Sequence, residues 1–580
     1  MFWLADFETT CHEENETRVW LWGIKNLDLN EIHVGYNIKT FFDFIKENCI
    51  GDTIYFHNLK FDGMFIIDYL FRIGFEYSKE FSENTFNTMI TDTQIWYNIQ
   101  INLRKEKRKQ QKIYIQDSLK LIPYSEKAIC QAFKLETQKR EIDYKKPRDE
   151  TYIPTQEEIE YIKNDIMIID NVMKTFKSEG YNKMTIGACA LSYFKEHFGK
   201  KNWERHFPIL DKEIDDFIRK SYKGGWTYLN PKYKGKDVKD GLVYDVNSMY
   251  PAVMYEFPYP VGIPQKFTGE YILDESMPLY VIEIICTFKL KKGKYPSIQS
   301  KNSFRTPQYM EEVTEPLQLT LTNIDLELLH ENYHVTIFEY IGGYKFAKAT
   351  GIFTDYIDYF IKMKIENNGK NICLRNIAKL FLNSLYGKFG TNPYKINKIP
   401  YLDKEKNCIE FENTEEEYTK PVFTVIASFV TSYARRNIIQ TANKIGKRFI
   451  YADTDSVHID GLEIPDINID ENKLGYYKLE YKFVKARYIK GKTYMEQEEN
   501  GKIHKTICGC PDRTKEIIDF TNFNTMFTLT EENGLEYYNK YGKLVPKRVK
   551  GGVILKPAEF SIKEDITKQK SNKSKNNTSY

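Results

Sequence analysis

Between Phe449 and Ile459 the chain reads F-I-Y-A-D-T-D-S-V-H-I, two short apolar strands with carboxylates at the turn that joins them. A lone D-T-D at a turn is ordinary turn chemistry. A second apolar run, G-L-V-Y, also ends on an acid, Asp245, which opens D-V-N-S-M-Y-P. Apolar strands that each deliver acid to their ends can form a metal centre for nucleotide transfer. The expected centre comprises Asp245, Asp453 and Asp455.

A comparable arrangement opens the chain. Asp6 and Glu8 stand two apart at the end of the strand F-W-L-A, so both side chains leave one face. Asp62 follows another apolar strand, within H-N-L-K-F-D. A helix is expected over about 155–177, with Thr155 as N-cap and Glu157 and Glu158 in its first turn. On it Asp165 lies four residues after Tyr161, a phenol and a carboxylate one turn apart on the same face. Each piece alone is weak, since a D-x-E on a strand is usually a solvated face. Four gathered carboxylates are unfavourable without cations. Two hard divalent ions would neutralise them, and in-line phosphodiester hydrolysis needs such a pair.

Between Asp245 and Asp453 lies A-K-L-F-L-N-S-L-Y-G-K-F-G. Lys379, Asn383 and Tyr386 fall at i, i+4 and i+7, one stripe of a helix whose other positions hold Leu380, Phe381, Leu382 and Leu385. A core stripe would be apolar. This one offers charge for a phosphate and a ring for a base, which suits a nucleoside triphosphate.

A chain of 580 residues predicts two to five domains or subdomains. The 41% hydrophobic and 15% aromatic content excludes a disordered protein. Lys+Arg at 84 against Asp+Glu at 81 leaves a net charge of only +3, so bulk charge neither proves nor excludes a polyanionic partner. Nine scattered cysteines, with only Cys508 and Cys510 close, suggest reduced thiols in a cytosol rather than a disulfide framework or a zinc site. The N-terminus lacks the basic start of a signal peptide, and no apolar run approaches the ~20 residues of a membrane span. A soluble intracellular protein is expected.

Along the chain, residues 1–65 read as strand, hairpin and strand, and further strands are expected at 241–246 and 278–286. Residues 351–390 read as mostly helical, stopped by Asn392-Pro393. A polar hairpin over 394–422, a helix over 424–446 and a strand-turn-strand over 447–460 follow. The last ~18 residues are Lys/Asn/Ser-rich and expected to be disordered.

The forms D-F-E, N-x-x-F-D and Y-x-x-x-D, in that order, resemble the three exonuclease motifs of DnaQ-like proofreading domains. D-V-N-S-M-Y-P, K-L-F-L-N-S-L-Y-G-K-F and Y-A-D-T-D-S resemble motifs A, B and C of family B DNA polymerases, in the protein-primed branch of small tailed bacteriophages (phi-29 type). So do Y-K-G-G at Tyr222–Gly225, K-T-Y at Lys492–Tyr494 and D-S-L-K-L at Asp117–Leu121. The resemblance runs from Asp6 to about Lys563.

It implies an α/β multidomain enzyme: an RNase H-like (DnaQ-like) 3′–5′ exonuclease domain, then a palm, fingers and thumb polymerase domain with two insertions. The implied boundaries are 1–185 exonuclease, 186–257 and 423–523 palm, 351–393 fingers, 524–563 thumb and 564–580 tail. Insertion 1, at 258–350, would meet a priming protein. Insertion 2, at 394–422, would close a ring round DNA and give processivity and strand displacement.

Asp245, Val246 and Asp455 would hold metal, with Asp453 close by, and Asp6, Glu8, Asp62 and Asp165 would do so in the exonuclease. Tyr250 would be the steric gate against a 2′-hydroxyl. Lys364 and Lys379 would meet the triphosphate, and Asn383 and Tyr386 the nascent base pair. Tyr222, Gly224, Gly225, Thr431, Arg435, Lys492 and Tyr494 would contact template or primer. Thr9, His57, Asn58, Phe61, Ser118 and Leu119 would grip the frayed single strand, Phe61 by stacking. Tyr161 would orient water, and Lys139 would be the auxiliary exonuclease lysine.

The implied cofactor is Mg²⁺, with Mn²⁺ able to substitute, two ions per active site. Implied partners are primer-template DNA and displaced single strand, dNTPs, a terminal protein used as primer and a single-stranded DNA-binding protein, with no membrane. The implied location is the cytoplasm of an infected bacterial host. Two rival readings remain at this point: a nucleic-acid-primed family B polymerase of a plasmid or mobile element, and a catalytically silent DNA-binding homologue.

Overall fold

A computed structural model describes residues 1–11, 15–106, 109–135, 139–140, 142–144, 146–299 and 308–563. The expected disordered tail at 564–580 lies outside the described residues.

The N-terminal part is built on an eight-stranded sheet. Its spatial order begins Ile32–Gly35, Val19–Asn26, Phe2–Thr9, Thr53–Phe56, Lys109–Asp117. Phe2–Thr9 runs antiparallel to Val19–Asn26 and parallel to Thr53–Phe56, which is itself parallel to Lys109–Asp117. This is the RNase H-like order. Parallel neighbours require a crossover, and here the connection from Phe2–Thr9 to Thr53–Phe56 passes through the helix Ile38–Asn48. Reading residues 1–65 as strands alone missed that helix. Its buried face is Phe41, Phe42 and Ile45, at helical spacing.

The helix expected over 155–177 spans Gln156–Ser178. Thr155 and Glu158 form a reciprocal capping box that satisfies two backbone donors at its start. It packs on the sheet through Ile162, Ile166 and Ile169, which carries Asp165 onto the strand that bears Asp6 and Glu8.

The second body centres on a five-stranded antiparallel sheet, ordered Tyr477–Phe483, Gly241–Val246, Ser456–Asp460, Phe449–Asp453, Thr227–Leu229. Asp245 pairs with Ser456 in this register, so the ends of two sequence-distant strands meet. The helix Thr424–Ile445, buried along most of its length, supports the sheet. Helices Thr354–Glu366 and Ile372–Phe389 pack against each other nearby.

Tyr259–Thr268, Leu279–Leu290, Glu312–Thr322 and Tyr333–Ala349 form a separate four-stranded sheet, and Lys398–Asp403 pairs with Cys408–Asn413 as a hairpin. A C-terminal hairpin, Lys543–Val549 with Gly552–Ala558, reaches both neighbours. Arg548 is 2.9 Å from Glu410, and the Thr17 amide donates to the Lys550 carbonyl at 2.9 Å.

Candidate active sites

One oxygen or more from each of Asp6, Glu8 and Asp165 lies within 4.8 Å of the others. Asp62, in the first turn of the helix Leu59–Arg72, lies outside that group but near enough for its charge to act on Asp6 and Glu8. Burial pushes the carboxyls of Asp6, Glu8 and Asp62 well above the ordinary range, and for Asp6 the charge of Asp62 is the next cause. Burial, then the charge of Glu126, pushes Asp165 up to about 6. Asp165 Oδ1 is buried with no hydrogen-bond partner. An orphaned acceptor among repelling acids fits a divalent cation with oxygen ligands.

Lys139 donates to Asp165 Oδ2 and lies 2.5 Å from Glu126 Oε2. Burial alone would lower its pKa; Glu126, Asp165 and Asp6 hold it above the usual lysine value. The Tyr161 hydroxyl meets that of Tyr144 at 2.8 Å. Glu126 and Tyr144 were not legible beforehand. Glu126 follows the N-cap Ser125, where an acid is usual for the helix dipole. Tyr144 belongs to a polar segment with no period.

Among residues expected to grip a single strand, Thr9, Asn58, Phe61 and Leu119 keep open surface. His57 and Ser118 are tied into the fold. Nε2–H of His57 donates to the Tyr124 carbonyl at 2.8 Å, and the Ser118 hydroxyl, 3.0 Å from Nδ1 and 3.1 Å from the Phe56 carbonyl, has one proton for either acceptor. Burial lowers the His57 pKa and favours the neutral form. Ser118 is fully buried. These two side chains brace the loop.

In the other pocket, the D-T-D turn is sharpened by Thr454 at φ 65°, and the Val246 amide donates to the Asp455 carbonyl at 2.8 Å. Val246 therefore offers a metal only backbone. Burial, followed by the charges of Asp455 and Glu480, pushes the Asp245 carboxyl up to about 7. Burial likewise raises Asp455. Asp453 is occupied differently: its Oδ1 accepts from Thr227 Oγ1 at 3.0 Å and Lys492 Nζ at 2.8 Å.

Facing these acids is a set of cations. Lys379 and Asn383 are exposed on one side of Ile372–Phe389, while Phe381, Leu382 and Leu385 are buried on the other. Lys364 is half-buried, and its pKa is lowered by burial and then by Lys379, Arg375 and Lys478. Cations held together in this way suit a polyanionic ligand. Arg375 was legible in principle, being four residues before Lys379 on the same helical face. Lys478 and Glu480 were not, since only sheet register brings that strand beside Asp245.

Tyr250 stacks on Tyr386 with centroids 4.1 Å apart. A Cβ on Gly225 would lie 2.8 Å from Thr454 Cγ2 and 3.1 Å from the Tyr250 hydroxyl, whereas one on Gly224 would meet nothing within 4 Å. Gly225 is thus small to admit Tyr250, and Gly224 leaves backbone open beside Tyr222. Overpacking typically costs about 1–3 kcal/mol. Gly225→Ala should displace Tyr250, raising the dNTP KM or ribonucleotide incorporation by about tenfold, roughly 1.4 kcal/mol. Unchanged steady-state extension and sugar selection would refute this account.

Thr431 and Arg435 lie in the interior. Thr431 is buried, and its hydroxyl donates to the Ala427 and Ser428 carbonyls. Arg435 is 2% exposed, paired with Asp325 at 2.7 Å, and donates to the carbonyls of Lys223 and Gly224. Arg435 therefore holds the Y-K-G-G segment from behind. Lys492 is exposed, and the half-buried Tyr494 packs against Tyr451 with centroids 5.1 Å apart.

The family described as DNA polymerase type B, organellar and viral, matches residues 50–155 and 148–474. The DNA polymerase of Bacillus phage phi29 is 39% identical over 583 residues, covering 96% of this chain and 98% of that protein. That of Streptococcus phage Cp-1 is 32% identical over 592 residues, covering 97% and 99%. The solved structure of phi29 DNA polymerase complexed with primer-template DNA and incoming nucleotide substrates is similar at a TM-score of 0.89. It shares 38% identity, over 97% of this chain and 100% of that one.

Proposed function

Because the chain belongs to the organellar and viral type B DNA polymerases, we propose that its two carboxylate pockets divide synthesis from proofreading. It is a DNA-directed DNA polymerase with the exonuclease and polymerase domains of that family. The observation that carries the division is the separate convergence of Asp245 with Asp455 and of Asp6 and Glu8 with Asp165, each with raised carboxyl pKa values.

When bound, divalent ions, Mg²⁺ by preference with Mn²⁺ able to substitute, supply positive charge that stabilises phosphoryl transfer in each pocket. In the synthetic pocket, Lys364, Arg375 and Lys379 would bind the triphosphate of the incoming dNTP. The Tyr250 ring, fixed by Tyr386, would occupy the space of a 2′-hydroxyl, and Asn383 would line the new base pair. Lys492, held by Asp453, and Tyr494 would steady the primer terminus. In the exonuclease pocket, Lys139 would hold the scissile phosphate, Tyr161 and Tyr144 would orient water, and Phe61 would stack a base.

Initiation would use a hydroxyl of a terminal protein. Insertion 1 would receive that protein on its sheet, where Ile263 and Phe338 are exposed hydrophobics. The Arg548–Glu410 and Lys550–Glu16 ion pairs support the closing of a ring by the insertion 2 and C-terminal hairpins. Such closure would permit processive strand displacement in an infected bacterial host. A single-stranded DNA-binding protein would take up the displaced strand. Incubating the chain with a terminal protein, labelled dNTP and Mg²⁺ should yield a protein–dNMP adduct. Primer extension without any adduct would favour nucleic-acid priming.

A further inference from the structure

Lys492 and Tyr494 do not belong to the sheet that carries the acids. They lie where Lys485–Lys490 turns into Thr493–Gln497, in a second sheet ordered Asp237–Val238, Lys485–Lys490, Thr493–Gln497, Ile503–Ile507. Something must fix one sheet against the other, because a primer terminus held by one and extended at the other tolerates little slip. Between them lies an apolar layer that includes Val243, Ile450, Tyr451, Phe483 and Ala486. Apolar contact is non-directional and sets spacing more than register.

Inside that layer is a carboxylate. Glu496, on Thr493–Gln497, is 0% exposed. Its Oε1 accepts from His458 Nδ1 at 2.7 Å and from the Tyr488 hydroxyl, and its Oε2 accepts from the Tyr481 hydroxyl at 2.6 Å. His458 and Tyr481 come from the acid-bearing sheet and Tyr488 from the second one. Burial by itself would raise the Glu496 pKa, but His458 and the two phenols hold it below the ordinary value. The His458 ring also packs against Tyr451 and Tyr494, each at 5.1 Å. The Tyr451 hydroxyl accepts from the Lys492 amide at 2.9 Å. A continuous set of directional contacts thus runs from Glu496 to the Lys492 turn.

We propose that Glu496, with His458 and Tyr481, is a positioning residue that sets the primer-holding Lys492–Tyr494 turn against the catalytic hairpin at Asp453–Asp455. A buried carboxylate accepts partners only in particular directions, and any slip between the sheets leaves it unsatisfied. Its tie therefore fixes the register that the apolar layer leaves free. The proposal rests on the reading of Lys492 and Tyr494 as primer contacts.

The test compares Glu496→Ala, Glu496→Gln, Tyr481→Phe and Lys492→Ala in the full chain. It measures primer-template Kd, dNTP KM and degradation of a single-stranded oligonucleotide, the last reporting an intact remote domain. Glu496→Ala should weaken primer-template binding about tenfold, equivalent to about 1.4 kcal/mol, with dNTP KM and single-strand degradation unchanged. Glu496→Gln, which keeps an acceptor for the phenols, should restore most of the loss. Tyr481→Phe should show a smaller loss of the same kind and serves if Glu496→Ala does not fold. Wild-type primer-template binding by Glu496→Ala and Tyr481→Phe, beside a weakened Lys492→Ala, would overturn the positioning role alone. Normal binding by Lys492→Ala would overturn the primer-contact reading and this inference with it.

Discussion

Asp455→Ala should abolish primer extension, by about 10³-fold or more, roughly 4 kcal/mol of lost transition-state stabilisation. Degradation of single-stranded oligonucleotide should stay within about twofold of wild type. The reason is local. Asp455 and Asp245 meet across two paired strands, and removing one leaves half of the negative charge that would hold divalent ions. The fold should survive, because the tie from the Val246 amide goes to the Asp455 backbone carbonyl, which alanine retains. Burial and the charge of Asp453 already raise the Asp455 pKa. Removing an acid that the folded state disfavours should leave the metal-free melting temperature equal or higher. Loss of both activities in a variant that melts normally would dissolve the two-pocket division.

Asp62→Ala should do the reverse: single-strand degradation falls about 10³-fold while extension from a paired primer persists. Mispaired termini should then be extended rather than removed. Asp62 is buried and acts on Asp6 and Glu8 through its charge, and among the described residues no hydrogen bond or ion pair links it to the synthetic pocket.

The raised carboxyls of this pocket also fix a pH dependence. An acid whose folded pKa exceeds its unfolded value of about 4 contributes stability at low pH that is lost as pH rises through the folded value. Asp165 at about 6, with Asp6, Glu8 and Asp62 raised well above their usual value, places that loss from about pH 4 to beyond pH 6. Metal-free wild type should therefore melt lower at pH 8 than at pH 5. Asp62→Ala should narrow that difference, and Mg²⁺ should raise the pH 8 melting temperature of wild type. Melting curves in chelator that show no narrowing would remove the charge-repulsion account of the pocket.

Much of this was legible in order along the chain. Thr155 with Glu158 announced a helix start, and the apolar runs before Asp245 and Asp453 announced strands, because such signals depend on neighbours within a few residues. Asp6, Asp245 and Asp453 were legible for the same reason, each ending a local apolar run. Arg435, His57 and Ser118 show the opposite case. Nothing near them in sequence says that Asp325, Tyr124 or Phe56 will take up their polar atoms.

The sequence by itself determined which segments become strands and helices, which acids they carry, and the family to which the chain belongs. Tertiary structure alone decided partnership. It set Glu126 against Lys139, clustered Arg375 and Lys478 with Lys364, buried Arg435 behind the Y-K-G-G segment, and closed Glu496 into a sheet interface. The reason is range. Secondary structure follows from steric and hydrogen-bonding preferences of adjacent residues, whereas the burial and charge that assign a side chain its role come from segments tens to hundreds of positions away.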